Sequence, residues 1–151
     1  MNACCIATYD FCIDQNATLT KVFTWLTTPC CNAVGAAPAP VDLTGYTAAM
    51  QICPFPGSPT LLFNATPYIT LGGPLGTVTL SIPGGITAAM DWFSGVYDLI
   101  LTDPNGIATK FLSGTITVCP GVTVIVYGPQ FVLLPGGQAA DVPGGQGVLT
   151  P

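Results

Sequence analysis

Residues 40 to 52 read PVDLTGYTAAMQI, and the two halves of this stretch obey different rules. Asp42, Thr44 and Gly45 are turn formers: Asp and Thr side chains bond nearby backbone amides, and Gly accepts a positive φ. From Tyr46 the pattern becomes a period of two, with Tyr46, Ala48, Met50 and Ile52 on one parity and Thr47, Ala49, Gln51 and Cys53 on the other. That period belongs to a strand with one face against a core.

The same alternation recurs on both sides. In YDFCIDQ (9–15), Tyr9, Phe11 and Ile13 share a face. In TLTKVFTWLT (18–27), Leu19, Phe23 and Trp25 share a parity with Lys21, while Val22 and Leu26 share the other. Apolar residues on both parities predict a strand covered on both sides for part of its length. A Cys/Ala/Pro-rich loop fills 28–40. After the turn CPFPGSP, TLLFNAT places Leu61, Phe63 and Ala65 on one side. Tyr68 to Leu71 reads as a short strand, GGPLG as a turn, and GTVTLSIP as a strand with Val78, Leu80 and Ile82 on one face. ITAAMDWF (86–93) breaks the alternation and predicts a helical turn. GVYDLILT resumes it with Tyr97, Leu99 and Leu101; DPNG (103–106) is a turn, Pro presetting φ and Gly taking the left-handed position. The return strand carries Phe111, Leu112, Ile116 and Val118.

Short strands at regular spacing, joined by Gly/Pro turns, predict an all-β antiparallel sandwich in preference to a small barrel. The folded domain is expected over 9–123, with an N-terminal arm at 1–8 and a C-terminal arm and Gly/Pro-rich tail at 124–151. In that arm Val124, Ile125, Val126, Phe131, Val132, Leu133 and Leu134 are too apolar for a solvated coil. Residues 122–134 are therefore expected to be ordered by pairing or by contact with a partner, and the last Gly-rich residues to be looser.

Charged residues make up 6% of the 151 residues, against about 25% in ordinary globular domains, and mean hydropathy is +0.63. All seven acids are Asp, and Lys21 and Lys110 are the only cations. A net charge of −5 with two cations gives no footprint for nucleic acid phosphate. No apolar run reaches the roughly 18 residues that a spanning helix needs, since VTVIVYGPQFVLL is interrupted by Gly128-Pro129. Short segments without an aromatic girdle argue against a membrane barrel. The start, MNACCIATYD, has neither a cationic segment nor a long apolar one, so synthesis and folding in a cytosol are expected. A chain this apolar then needs neighbours that cover its surface.

The seven cysteines are an odd number. Adjacent Cys4-Cys5 and Cys30-Cys31, without any His, do not offer zinc-ligand spacing, and no His is present to activate a nucleophilic thiol. Cys12, Cys53 and Cys119 fall in strand-like stretches, where a small buried hydrophobe is the ordinary role. Cys4, Cys5, Cys30 and Cys31 lie in an arm and a loop, from which thiols can reach a neighbouring subunit in an oxidising medium. Intersubunit disulfides are the expectation there.

No metal or cofactor is implied, and catalysis has little to draw on: Asp91 and Asp98 are the best carboxylate pair for glycoside hydrolysis, while Asp42, Asp91 and Asp103 have turn or cap roles. For a carbohydrate- or receptor-binding surface the aromatic candidates are Trp25, Trp92, Tyr68 and Tyr97. Trp25 and Tyr97 fall on core parity, leaving Trp92 as the residue of interest.

In order along the chain, DQNATLTKVFTW, VDLTGYTAAMQI, YITLGGPLGTVTLSI, ITAAMDWFSGVYDLILTDPNGIATKFLSG and TVCPGVT cover nearly all of 9–123. This series resembles a small β-domain family of tailed-phage and prophage virion proteins, similar to the immunoglobulin-like domains that dock peripheral proteins to baseplates. The resemblance implies an immunoglobulin-like sandwich and a non-catalytic structural role in a virion, made in the host cytoplasm, with other virion proteins and copies of itself as partners. A receptor- or carbohydrate-binding module of a tail appendage is the alternative. The chain departs from the family at Cys53 and Ile100, where relatives carry Arg or Glu at solvent-facing positions, which implies that more of this domain is covered.

Overall fold

The computed structural model describes residues 7–27 and 37–124, and of the tail the backbone of residues 131–133 and 139–141. Its strands are β1 (Ala7–Thr8), β2 (Phe11–Asp14), β3 (Leu19–Thr24), β4 (Leu26–Thr27), β5 (Ala39–Pro40), β6 (Thr47–Cys53), β7 (Phe63–Asn64), β8 (Ile69–Leu71) and β9 (Thr77–Ile82). After a single helical turn, α1 (Gly84–Thr87), come the long strands β10 (Ser94–Thr102) and β11 (Ala108–Cys119), then β12 (Phe131–Leu133) and β13 (Ala139–Asp141).

The larger sheet runs β1-β11-β10-β6-β7, with β2 following β1 along the same edge of β11; the smaller runs β3-β9-β8. Strands β1 and β2 lie parallel to β11, and the remaining pairs of both sheets are antiparallel. Phe11, Ile13, Met50, Ile52, Tyr97, Leu99, Leu101, Ile116 and Val118 from the larger sheet meet Val78, Leu80 and Ile82 from the smaller one in a single buried cluster. The fold is therefore all-β, with two sheets packed face to face, and the alternation in β6, β9 and β10 has done what a period of two must do when one face is buried.

Two short connections hold the opening stretch. The Asp42 carboxylate accepts bonds from the Thr44 amide at 2.9 Å and the Thr44 hydroxyl at 2.5 Å, and Gly45 takes φ 78°. Leu43, fully buried, donates its amide to Gly73 O at 2.9 Å, which ties this turn to the β8–β9 turn. The chain leaves the turn already aligned to run as β6.

Strand β3 differs from the sequence expectation. Leu19, Lys21, Phe23 and Trp25 face inward and are half-buried, but Val22 on the other parity is 60% exposed and Leu26 is exposed. Only one face is covered, because among the described residues no third layer lies outside the small sheet. Lys21 is tolerated on the inner parity because it reaches the open edge: its ammonium lies 5.7 Å from the Tyr9 ring centre and 5.8 Å from that of Phe11. TLLFNAT also folds differently, with Phe63–Asn64 alone paired to β6 and Leu61 exposed.

The outer face of the small sheet pairs Thr20 with Ser81, Val22 with Thr79 and Thr24 with Thr77, and Thr70 stands beside Thr79. Threonine suits a strand through its branched Cβ, and its hydroxyl is hydrated without charge. Scarcity of charge thus does not make this face apolar.

A bulge corrects the register on the long hairpin. Leu99 stands opposite Leu112 but Ile100 opposite Lys110, so Phe111 is the extra residue. That is why the neighbours Phe111 and Leu112 can both be apolar: Leu112 enters the core, and the half-buried Phe111 packs at 5.5 Å on Trp25.

The N-terminal edge breaks at Tyr9-Asp10. Asp10 accepts a bond from the Thr115 amide at 2.8 Å, and the buried Tyr97 hydroxyl donates to Tyr9 O at 2.6 Å. Gly114 is required opposite this break, since a Cβ there would overlap the Tyr9 carbonyl. Burial, then the negative charge of Asp10 and the neighbouring Tyr9, push the Tyr97 phenol well above its ordinary value of 10.0. The folded state therefore holds a proton that the unfolded chain releases, so this contribution is complete below pH 10.0 and is lost as pH rises beyond it. Denaturant titrations from pH 9 upward should show stability falling, and Tyr97→Phe, weaker by about 1 kcal/mol at neutral pH from the lost hydrogen bond, should fall less steeply. Equal alkaline slopes would contradict this role for Tyr97.

Candidate functional site

Strand register gathers three segments at one end of the sandwich. β6 ends with Cys53 opposite Val96, β10 begins with Ser94 opposite Thr117, and β11 ends at Cys119. The loop after Cys53, the approach to β10 and the exit from β11 therefore project together. They carry Phe55, Leu61, Phe93, Val122 and Val124, all exposed, with Phe93 at 74% and Val122 at 99%. Leu26, Leu75 and Ile107 are exposed at the opposite end.

The first end is built rather than frayed. In the loop, the Ser58 amide donates to Phe55 O at 3.1 Å, the Ser58 hydroxyl accepts from the Thr60 amide at 3.1 Å, and the Leu62 amide returns to Ile52 O at 2.8 Å. Phe93 is held by its carbonyl, which accepts from the Val118 amide at 2.8 Å. Gln15 joins the remaining pieces: its side-chain amide donates to Met90 O at 2.5 Å, its side-chain carbonyl accepts from Gly121 at 3.1 Å, and its backbone amide bonds Cys119 O at 3.0 Å. Below it Thr87, fully buried, donates to Ala17 O and Gly84 O at 2.8 and 3.0 Å. Sequence reasoning passed over Gln15 and Thr87, because their partners lie on remote segments and no spacing announces them.

The cations are engaged within the chain. Lys110 forms an ion pair with Asp98 at 2.7 Å on the outer face of the large sheet, and Lys21 sits over the Tyr9 and Phe11 rings. The Asp98 carboxylate is thus committed to Lys110. Among the described residues no group of three or more His, Cys, Asp or Glu could hold a metal ion. Trp92 is half-buried against the core and Trp25 packs on Tyr46 and Phe111, so neither ring lies open as a stacking platform.

Of the residues singled out from sequence, Cys4, Cys5, Cys30, Cys31, Ile125, Val126 and Leu134 lie outside the described residues. Val124 is exposed just after β11. Phe131, Val132 and Leu133 form β12, antiparallel to β13 with partners Asp141, Ala140 and Ala139. The pairing partner thus comes from the Gly-rich tail, the part expected to be looser. Cys53 and Cys119 are half-buried and Cys12 is exposed, so none of the three is the buried hydrophobe expected; each sits on an outward parity of its strand. Cys53 and Ile100 both lie on the outer face of the large sheet.

Among the described residues no helix is long and apolar enough to cross a membrane. No protein-family model matches this chain, and no curated protein matches it.

Proposed function

We propose that the chain is a non-catalytic structural subunit of a tailed-phage virion, which docks on the tail, baseplate, neck or capsid through the apolar end of its sandwich and its C-terminal arm. The observation that carries this reading is the gathering of Phe55, Leu61, Phe93, Val122 and Val124 at the end from which the arm departs. Isolated exposed apolar residues are ordinary, whereas a group on bonded loops around a chain exit favours a protein contact. At about 25 cal/mol per Å², each 100 Å² of apolar surface covered there contributes about 2.5 kcal/mol before the cost of association. Copies arranged by symmetry repeat that contribution without any single strong site.

An immunoglobulin-like relationship is part of the proposal. A three-stranded sheet packed on a larger one, with the N-terminal strands β1 and β2 parallel to β11, supports it together with the sequence pattern from VDLTGYTAAMQI to TVCPGVT. The alternative of a carbohydrate-binding module draws no support from Trp25 or Trp92, both of which pack inward.

Mass spectrometry of purified particles from a lysogen or infected culture carrying this gene tests the reading. The chain should co-purify with intact particles at a fixed ratio to the tail or capsid proteins, and immunogold labelling should mark one site. A chain found only in the particle-free fraction would contradict it.

A further inference from the structure

We propose that Cys12 and Cys119 form a redox-closing pair, a disulfide site that clamps the N-terminal edge strand to the last strand of the domain. The two strands are parallel neighbours, with Cys12 opposite Thr117 and Asp14 opposite Cys119. Phe11, Ile13, Ile116 and Val118 take the inward positions, so Cys12 and Cys119 share the outer face, one diagonal step apart. Both are free thiols in the structure, Cys12 exposed and Cys119 half-buried.

Parallel strands about 4.8 Å apart and a two-residue step of about 6.6 Å along them put the Cα atoms of diagonal neighbours about 8 Å apart, beyond the usual disulfide range of about 4.4–6.8 Å, so the bond needs a shift of the backbone. The gap can close here because β2 is an edge strand, bonded to β11 on one side and, among the described residues, to no strand on the other. Cys12 also lines a shallow surface depression with Asp10, Phe11, Thr115 and Thr117, which gives a small reagent access. The neighbouring Cys12 thiol first, then lost solvation and the negative charge of Asp14, raise the Cys119 pKa; Cys12, the more exposed of the two, is the thiol that meets the reagent first.

The oxidant is a low-molecular-weight disulfide of the glutathione class. The Cys12 thiolate, its proton lost to solvent, attacks one sulfur and expels a small thiolate, leaving a mixed disulfide. Cys119, deprotonated in turn, attacks the Cys12 sulfur and expels the second small thiolate. Two S–H bonds and one S–S bond are broken, one S–S bond is formed, and the two electrons leave on two small thiols. The resulting loop takes in nearly the whole folded domain, from Cys12 to Cys119, so closing it restricts the unfolded chain strongly. Such a clamp would set when a particle leaves a reducing cytosol, and it is separate from any intersubunit bond at Cys4, Cys5, Cys30 or Cys31.

The test uses the full-length protein, treated with oxidised glutathione or with a dithiol reductant, followed by non-reducing peptide mapping and thermal melting. The expected result is a Cys12–Cys119 linked peptide and a melting temperature raised by about 5–10 °C, a rise absent in Cys12→Ser and Cys119→Ser. Reduced wild type and both variants should melt together, which separates loss of the bond from loss of folding. Glutathione left as a stable adduct on Cys12, or Cys12 linked to another cysteine, would overturn the proposal.

Discussion

Leu101→Ala is expected to destabilise the domain by about 2–5 kcal/mol, the range for removing a fully buried leucine and leaving a cavity. Leu101 is completely buried in the central strand β10, between Ala48 of β6 and Thr109 of β11. Ala48 is small, so little nearby side chain can move in to fill the space. The neighbouring Ile100 provides the contrast: it is half-buried on the outer face, and Ile100→Ala should cost about 1 kcal/mol or less. Denaturant melts of the two variants read out which face of β10 meets the second sheet. Similar losses at the two positions would contradict a sandwich that is covered on one face only.

Gly76→Ala should cost about 2–4 kcal/mol. Gly76 has φ 66°, for which a side chain costs about 1 kcal/mol. An added Cβ would also stand 2.9 Å from both Trp25 O and Val41 O and 3.0 Å from Val41 N, all backbone atoms of other segments that cannot swing aside. These atoms form a chain of bonds: the Trp25 amide donates to Gly76 O at 2.8 Å, and the Val41 amide to Trp25 O at 2.8 Å. Forcing them apart releases the pairing of β4 with β5, Leu26 opposite Pro40 and Thr27 opposite Ala39, together with the Leu43 turn. Gly57→Ala isolates the conformational part, because Gly57 has φ 81° with nothing within 4 Å of its added Cβ, and it should cost only about 1 kcal/mol. Equal losses at the two glycines in equilibrium melts would show that the packing around Gly76 is loose.

What could be read from the sequence was local. The turns at Asp42 and Asp103 announce themselves because a side chain two residues back bonds the backbone: Asp103 accepts from Asn105 at 2.9 Å and from Ile107 at 2.8 Å. The faces of β6, β9 and β10 follow from alternation alone. Long-range relations were hidden. Nothing near Phe11 says that it will run parallel to Ile116, so the outward Cys12 and Cys119 look like unrelated residues until the strands are paired. The apolar second parity of β3 pointed to a second covering layer, but a face mixing Thr20, Val22 and Thr24 is hydrated enough to stay open. The candidate docking end shares this difficulty, since Phe55, Phe93 and Val122 are scattered in the chain and only the register of β6, β10 and β11 brings them to one end. Composition alone led to an exterior that neighbours must cover; the threonines on the small sheet's outer face make part of it polar without charge.

Sedimentation velocity on the purified native chain, over a wide range of concentration and beside the double variant Phe55→Asp, Phe93→Asp, tests the covered apolar end most directly. Native protein should associate increasingly as concentration rises, while the doubly charged variant, folded to the same circular dichroism, should remain monomeric at concentrations where the native chain does not. A native chain that stays a single monomeric species up to its solubility limit, with the variant indistinguishable from it, would contradict the claim that this end is built to be covered by protein.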